Sequence, residues 1–304
     1  MNKLIDPQQW HGVWTALATP LSDQQIDRAS LQKLIEKQLS DGVHGFVLAG
    51  STGEGSLLSE AQYKDLLKVT KEIVKNRAPL VAGLGIGGTK SCLNNALIAK
   101  ELGYDGVLAS PPAYIKAPQH GLIEHFLSLA EMGGLPLCLY EVPGRAASSI
   151  KVESISTLLK DPRSKNICAL KDASGDMDRA KEEATIFGDR LALLSGDDGT
   201  FADFLASGGH GCVSVLSHFG AKSLNLILET SKQKNFEEAK QIQKKLLGFI
   251  DALFWESNPI PVKTLLFKSK IFCSAEFCLP LLPMTETLAL KLQELHKELN
   301  SWQK

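Results

Sequence analysis

Eight short apolar runs punctuate the chain, at Val13–Ala18, Gly45–Ala49, Leu80–Leu84, Gly106–Ala109, Pro136–Val142, Ile167–Leu170, Ala192–Leu194 and Cys212–Val215. Each is too short for a helix, and most are rich in Val, Leu, Ile or Ala, the composition of parallel strands buried on both faces. Segments of helical spacing lie between them. In Ser59–Val74 the apolar positions Leu66, Leu67, Val69, Ile73 and Val74 recur on one face, and Ser59 with Gln62 reads as a capping box at its start. Asn94–Leu102 and Leu122–Leu129 repeat the amphipathic pattern. Strand–turn–helix repeated eight times predicts an α/β protein of the (β/α)8 barrel class, which typically takes about 250 residues. A doubly wound open sheet is the alternative that the same alternation allows.

The chain has 304 residues, so a barrel leaves a remainder. The expected division is a catalytic barrel over residues 1–230, its regular elements starting near residue 10, and a helical region over 231–304. Phe236–Phe254, Ile260–Phe267 and Glu286–Leu299 have helical spacing and no strands to alternate with. No Gly/Ser-rich linker separates the two parts.

With 33 basic against 34 acidic side chains, the chain lacks the basic surplus that phosphate-backbone binding requires, so no nucleic-acid partner is expected. No apolar run reaches the roughly 18 residues of a membrane span, and Met1–Pro7 lacks the apolar core of a signal peptide. Six cysteines at 92, 138, 168, 212, 273 and 278 show no paired CxxC spacing, and three lie in strand-like runs. They read as reduced, buried thiols in a cytoplasmic protein, with no metal site expected.

In a barrel, chemistry gathers where strands run out into the following loops. The sixth run continues into Lys171-Asp172-Ala173-Ser174-Gly175, placing a single lysine at the end of an apolar strand. An amine taken out of water is held neutral more easily, and a neutral amine attacks carbonyls. A snorkelling lysine, or one paired with Asp172, is the plainer reading. The second run leads into Gly50-Ser51-Thr52-Gly53-Glu54-Gly55, where amides and hydroxyls converge as they do around carboxylates and phosphates, though an ordinary loop has the same composition. The fifth ends Tyr140-Glu141-Val142-Pro143-Gly144-Arg145, offering a phenol to move protons and a guanidinium to grip a carboxylate, against a core tyrosine and a surface arginine. The seventh ends Ser195-Gly196-Asp197-Asp198, whose acids read as loop and helix caps because no third ligand accompanies them. His210 precedes the eighth run and belongs at the opposite end of the barrel. Gly83-Leu84-Gly85-Ile86-Gly87-Gly88 has the spacing of a dinucleotide-binding turn, but the next strand ends Ser110-Pro111 without the ribose-binding acid.

Taken together, Gly50–Glu54, Tyr140–Arg145, Ala169–Gly175 and Leu194–Asp198 resemble the dihydrodipicolinate synthase / N-acetylneuraminate lyase family of pyruvate-dependent class I aldolases. Asn258-Pro259-Ile260-Pro261-Val262-Lys263 and Leu279-Pro280-Leu281-Leu282-Pro283 look like its synthase branch, and the resemblance runs from about Gly12 to Pro283. It implies that Lys171 forms an imine with pyruvate and that Tyr140 shuttles protons through Ser51 to a second tyrosine. That tyrosine matches Tyr114 and comes from a neighbouring subunit, so the resemblance implies a homo-oligomer, a dimer or a dimer of dimers. Thr52 would bind the pyruvate carboxylate, Gly196 and Val213 would line the pocket, and Arg145 would hold the carboxylate of aspartate semialdehyde. The reaction would need no cofactor beyond the covalent imine, and would open the lysine and diaminopimelate branch. Four positions depart from the pattern: Ser51 replaces a threonine, Glu141 stands where Asn is common and places a possible charge beside the proton relay, and Ala146-Ala147 replace Thr-Gly. A sugar-acid lyase or keto-deoxy sugar acid aldolase therefore remains the second reading. A catalytically silent barrel used for binding is the third, and the presence of both Lys171 and Tyr140 argues against it.

Overall fold

The structure is a computed structural model that describes residues 6–302. Its eight strands are β1 Gly12–Ala16, β2 Gly45–Leu48, β3 Leu80–Gly83, β4 Gly106–Ala109, β5 Leu137–Glu141, β6 Ile167–Asp172, β7 Ala192–Ser195 and β8 Gly211–Ser214. All neighbours are parallel, and β1 pairs with both β2 and β8, so the sheet closes. Closure bears out the barrel and excludes the open sheet. The helices that follow the strands are α1 Arg28–Ser40, α2 Glu60–Val74, α3 Thr89–Glu101, α4 Gln119–Met132, α5 Val152–Lys160, α6 Met177–Phe187, α7 Phe201–Ala206 and α8 Ser217–Lys232. The capping box at α2 forms as read, with Ser59 and Gln62 each satisfying the other's backbone N–H.

Two elements flank β1 outside the repeated pattern. A short hairpin, Leu21–Ser22 with Gln25–Ile26, follows β1, and a 3-10 turn over Pro7–Trp10 precedes it. The turn closes the floor of the barrel. Trp10 and Trp14 stack with ring centroids 5.6 Å apart, and the Trp14 indole N–H donates to the Trp10 carbonyl at 2.8 Å. Trp14 needs the absence of a side chain at Gly45, where a Cβ would meet its ring at 2.2 Å. Above this plug the interior is filled by Val47, Val81, Cys138, Ala169, Ala192, Leu194 and Val213. Five of the six cysteines are buried as expected; Cys273 is exposed, and its thiol donates to Asp27 at 2.8 Å.

Beyond α8 the chain adds α9 Phe236–Ala252, α10 Ile260–Lys268 and α11 Glu286–Trp302. Helix α9 packs on α7 and α8, placing Ile242, Leu246, Phe249 and Ile250 in the same core as the barrel helices. Helix α10 is buried through its first turns, and its Lys263 pairs with Glu54 of the β2–α2 loop, both side chains at 1% exposure or less. The second Glu54 oxygen accepts from the Cys278 N–H at 2.7 Å, and the Lys263 ammonium lies 4.5 Å from the Phe277 ring centroid. Burial pulls the Lys263 amine downward in pKa while the Glu54 carboxylate opposes the shift. This pair ties the C-terminal helices to the loop after β2. Removing one partner of such a pair leaves a buried unpaired charge and costs roughly 3–5 kcal/mol. Lys263→Met should therefore lower urea-unfolding stability by about that amount, and adding Glu54→Gln, which keeps an acceptor for Cys278, should restore much of it. Equal loss in the single and double variants would show that the charge on Glu54 is not the source.

Candidate active site

The strand ends open into a cavity of about 600 Å³ at the C-terminal mouth of the barrel. Ser51, Thr52, Tyr140, Arg145, Lys171, Gly196 and Val213 all line it. Strand β6 runs to Asp172, one residue past Lys171, so the lysine stands within the strand. A bulge at Cys168 shifts the β5–β6 register between Leu137 and Cys138 and pairs Tyr140 with Lys171 and Glu141 with Asp172. Strand alternation then turns Tyr140 and Lys171 inward together. Lys171 is 6% exposed, and its Nζ lies 4.1 Å from the Tyr140 ring centroid, where the π face stabilises a cationic nitrogen.

Gly196 is required for this placement. A Cβ there would lie 2.8 Å from Lys171 Cε and 2.6 Å from Ala173 Cβ, and its N–H donates to the Asp172 carbonyl at 2.6 Å. Asp172 is not a partner of Lys171, because its carboxylate faces out of the barrel and accepts from Ser174 N–H at 2.8 Å. Glu141 also faces outward. It is fully buried, with its oxygens accepting from the Ser149 hydroxyl at 2.5 Å and Ile150 N–H at 3.0 Å. The expectation of a carboxylate beside the proton relay is therefore corrected: residue 141 follows an inward position and must point to the helix layer.

The loop after β2 crosses the mouth with Ala49 and Glu54 both at positive φ, 51° and 56°. Holding non-glycine residues there costs on the order of 1–3 kcal/mol each. The Thr19 hydroxyl to the Gly53 carbonyl at 2.7 Å and the Glu54–Lys263 pair hold it. Thr52 is 3% exposed and accepts from the Asn258 side-chain N–H at 2.9 Å. The Asn258 carbonyl in turn accepts from Arg145 Nη2 at 2.9 Å. Asn258 thus links the residues expected to hold the two substrates. Its role was not read from the sequence, where it appeared only as part of an Asn-Pro motif; its only signal there was an amide before a proline in a region otherwise helical.

Tyr114 is placed apart from the other candidates. It is 94% exposed at φ 73° and does not line its own chain's cavity. A second cavity of about 260 Å³ shares Ser51, Tyr140 and Arg145 with the first and runs out past Ile86, Ala113 and Leu281 to the surface. Around this exit Ile86, Ile115, Leu279 and Leu282 are each at least half exposed. Of the remaining candidates, Asp197 caps the 3-10 turn Asp198–Thr200; Asp198 is buried, and desolvation pushes its pKa up to about 6 although one of its oxygens accepts from Val215 and Leu216 N–H, which opposes the shift. The capping reading holds for Asp197; Asp198 instead binds across to the chain leaving β8. His210 sits at the far end of the barrel, stacked on His11 at 4.4 Å with Nδ1 accepting from Leu193 N–H. Among the described residues no group of three or more His, Cys, Asp or Glu is placed to hold a metal, and no helix is long and apolar enough to cross a membrane.

Comparison with known proteins gives the same picture. The model of the dihydrodipicolinate synthetase family matches residues 9–299. A 4-hydroxy-tetrahydrodipicolinate synthase of Bdellovibrio bacteriovorus is 37% identical, over 94% of this chain and 97% of that one. The crystal structure of the dihydrodipicolinate synthase of Aquifex aeolicus superposes with a TM-score of 0.91 at 30% identity, covering 96% of this chain and 98% of that chain. A dihydrodipicolinate synthase variant described as monomeric superposes at 0.92 with 31% identity, again over 96% and 98% of the two chains. By fold, motif order and extent of match, this chain belongs to the dihydrodipicolinate synthetase family.

Proposed function

We propose that the chain is a class I, Schiff-base-forming lyase that condenses pyruvate with aspartate semialdehyde to give 4-hydroxy-tetrahydrodipicolinate. The observation that carries this reading is the Lys171 amine over the Tyr140 ring, in a cavity that also presents Ser51, Thr52 and Arg145. Lys171 Nζ attacks the pyruvate ketone, and loss of water leaves a protonated imine. That imine draws electrons from the neighbouring methyl group, whose proton leaves to give an enamine, so the lysine supplies the electron sink and no cofactor is needed. Tyr140, with Ser51 beside it, is the group placed to carry protons. Thr52 and the neighbouring amides bind the pyruvate carboxylate, against a wall formed by Gly196 and Val213. The enamine attacks the aldehyde carbon, and the amine of the second substrate then displaces Lys171 as the ring closes.

Arg145 at the mouth supplies a charge partner for a small carboxylated aldehyde. Tyr114 completes the proton relay of a second copy, entering by the cavity between Ser51 and Ile86, so the working unit is a homo-oligomer built at least as a dimer. Five buried thiols suit a reducing cytoplasm.

Borohydride added with pyruvate should attach one pyruvate-derived mass to the peptide containing Lys171, and the enzyme should turn over aspartate semialdehyde in preference to sugar-acid substrates. An adduct on another lysine, or preferred cleavage of a sugar acid, would sink the assignment. A mixture of Tyr114→Phe and Lys171→Ala subunits should regain activity, because one site of each mixed dimer has both native groups; verified mixing without recovery would refute action in trans. Arg145→Ala removes a charge-assisted contact worth about 1.5–3 kcal/mol, so kcat/KM for aspartate semialdehyde should fall on the order of tenfold to a hundredfold while imine formation survives. Equal loss of both would make Arg145 structural.

A further inference from the structure

Behind the Tyr140–Lys171 pair, on the outer face of the same two strands, lies a cluster of charges that the proposed reaction does not use. Glu141 and Asp172 are the next residues along β5 and β6, and they are partners in the register just as Tyr140 and Lys171 are. Both turn toward α6, where Arg179 and Glu183 face them. Arg179 Nε donates to Glu183 Oε1 at 2.7 Å and lies 3.9 Å from Asp172 Oδ2, and its Nη2 donates to the Ile150 carbonyl at 3.0 Å. The Ile150 N–H is bound by Glu141, so one residue joins Glu141 to Arg179. The three carboxylates are 4% exposed or less.

The charge count does not balance. Three carboxylates and one guanidinium, fully ionised, leave a net charge of −2 in a site closed to water, where uncompensated charge is the costliest arrangement. Glu183 Oε2 has no hydrogen-bond partner, which marks it as the oxygen least able to carry a negative charge. Among the described residues no other base or cation faces the cluster. Asp176, at the start of α6, adds a further negative field; Lys151 and Glu153, at the start of α5, are exposed; and Asp203 of α7 is turned to Lys240.

We propose that Glu183, keeping one proton in this cluster, is a positioning residue: it orients Arg179, which bridges Asp172 of β6 and Ile150, the residue bound by Glu141 of β5, and so holds Tyr140 and Lys171 in register. The inference rests on the reading of those two residues as the reacting pair. Glu141 and Asp172 each lie one peptide, about 3.8 Å, from a reacting residue, so a change of charge in the cluster reaches the inner face directly. Burial, with the fields of Asp172 and Glu141 and against that of Arg179, pushes the Glu183 carboxyl from its ordinary 4.5 up to about 8. Burial also raises Glu141 and Asp172. Because the folded chain keeps a proton that the unfolded chain has lost, the contribution of Glu183 to stability is complete below pH 4.5 and lost as pH rises through 8.

Glu183→Gln copies the protonated form and cannot titrate. The ratio of the two kcat values at each pH therefore isolates what depends on the charge of residue 183. That ratio, variant over wild type at saturating pyruvate and aspartate semialdehyde, should rise severalfold between pH 7 and 9, with its midpoint near 8. A second measurement stands apart from turnover: the infrared spectrum of the wild-type protein at pH 7 should contain a protonated carboxyl C=O band that Glu183→Gln removes. A ratio independent of pH, or a spectrum with every carboxylate ionised at pH 7, would overturn the proposal. Failure of the wild-type enzyme to trap pyruvate on Lys171 would instead remove the reading beneath it, and the borohydride experiment separates the two outcomes.

Discussion

Closing eight parallel strands on themselves gives every strand residue one of two destinations, the enclosed interior or the layer beneath the helices, and the alternation allows no third. The interior has room for little. Trp10 and Trp14 fill its floor, and small or β-branched side chains such as Ala169, Ala192 and Val213 fill its middle. Only at the upper ends do Tyr140 and Lys171 break the apolar sequence, and they do so on adjacent strands at the same level. The bulge at Cys168 sets that level. Without it, Lys171 would point into the helix layer and Asp172 into the cavity, replacing an amine with a carboxylate. One extra residue in one strand thus determines which chemistry faces the substrate.

The loops of the barrel do not hold the site by themselves. The loop after β2 carries Ser51 and Thr52 and is bent through two non-glycine residues at positive φ. Its geometry is held from outside, by Lys263 on Glu54 and by Asn258 on Thr52, both supplied by chain beyond the eighth helix. Asn258 also accepts from Arg145, so one amide residue fixes the loops after β2 and β5 against each other. The three added helices therefore act as a brace for the mouth, and their core is continuous with that of the barrel helices.

The parts of this arrangement that follow a period were legible in the sequence. The strands recur as apolar runs, and Ser59 with Gln62 announces α2, because each signal is local. The site was legible through its residue types: Lys171, Tyr140, Ser51, Thr52, Arg145, Gly196 and Val213 do converge on one cavity. What escaped depends on contacts between distant segments. Nothing near Glu54 predicts Lys263, more than two hundred residues away, and nothing near Asn258 predicts both Thr52 and Arg145. The orientation of Glu141 was misjudged for a different reason. Its neighbour in sequence is Tyr140, but its neighbours in space are Arg179 and Ile150, because adjacent strand residues face opposite sides. The hairpin after β1 is only two residues per strand, too short to leave a periodic trace.

The same sorting of faces explains how a chain of net charge −1 presents a positive cavity. Two cations, Lys171 and Arg145, line it, and each carboxylate close to them is engaged elsewhere. Glu141 and Asp172 lie on the outer face of their strands. Glu54 is held by Lys263 and the Cys278 N–H. Asp197, which does line the cavity, has one oxygen on the Gly199 N–H and the other on the Thr200 hydroxyl. Coulomb attraction inside a narrow mouth depends on these local placements and hardly at all on the net charge of the molecule. A substrate with a carboxylate meets the two cations over a short range, while the balanced surface does nothing to draw polyanions. Selection for small keto and aldehyde acids is thus built by turning acids away from the cavity as much as by placing bases within it.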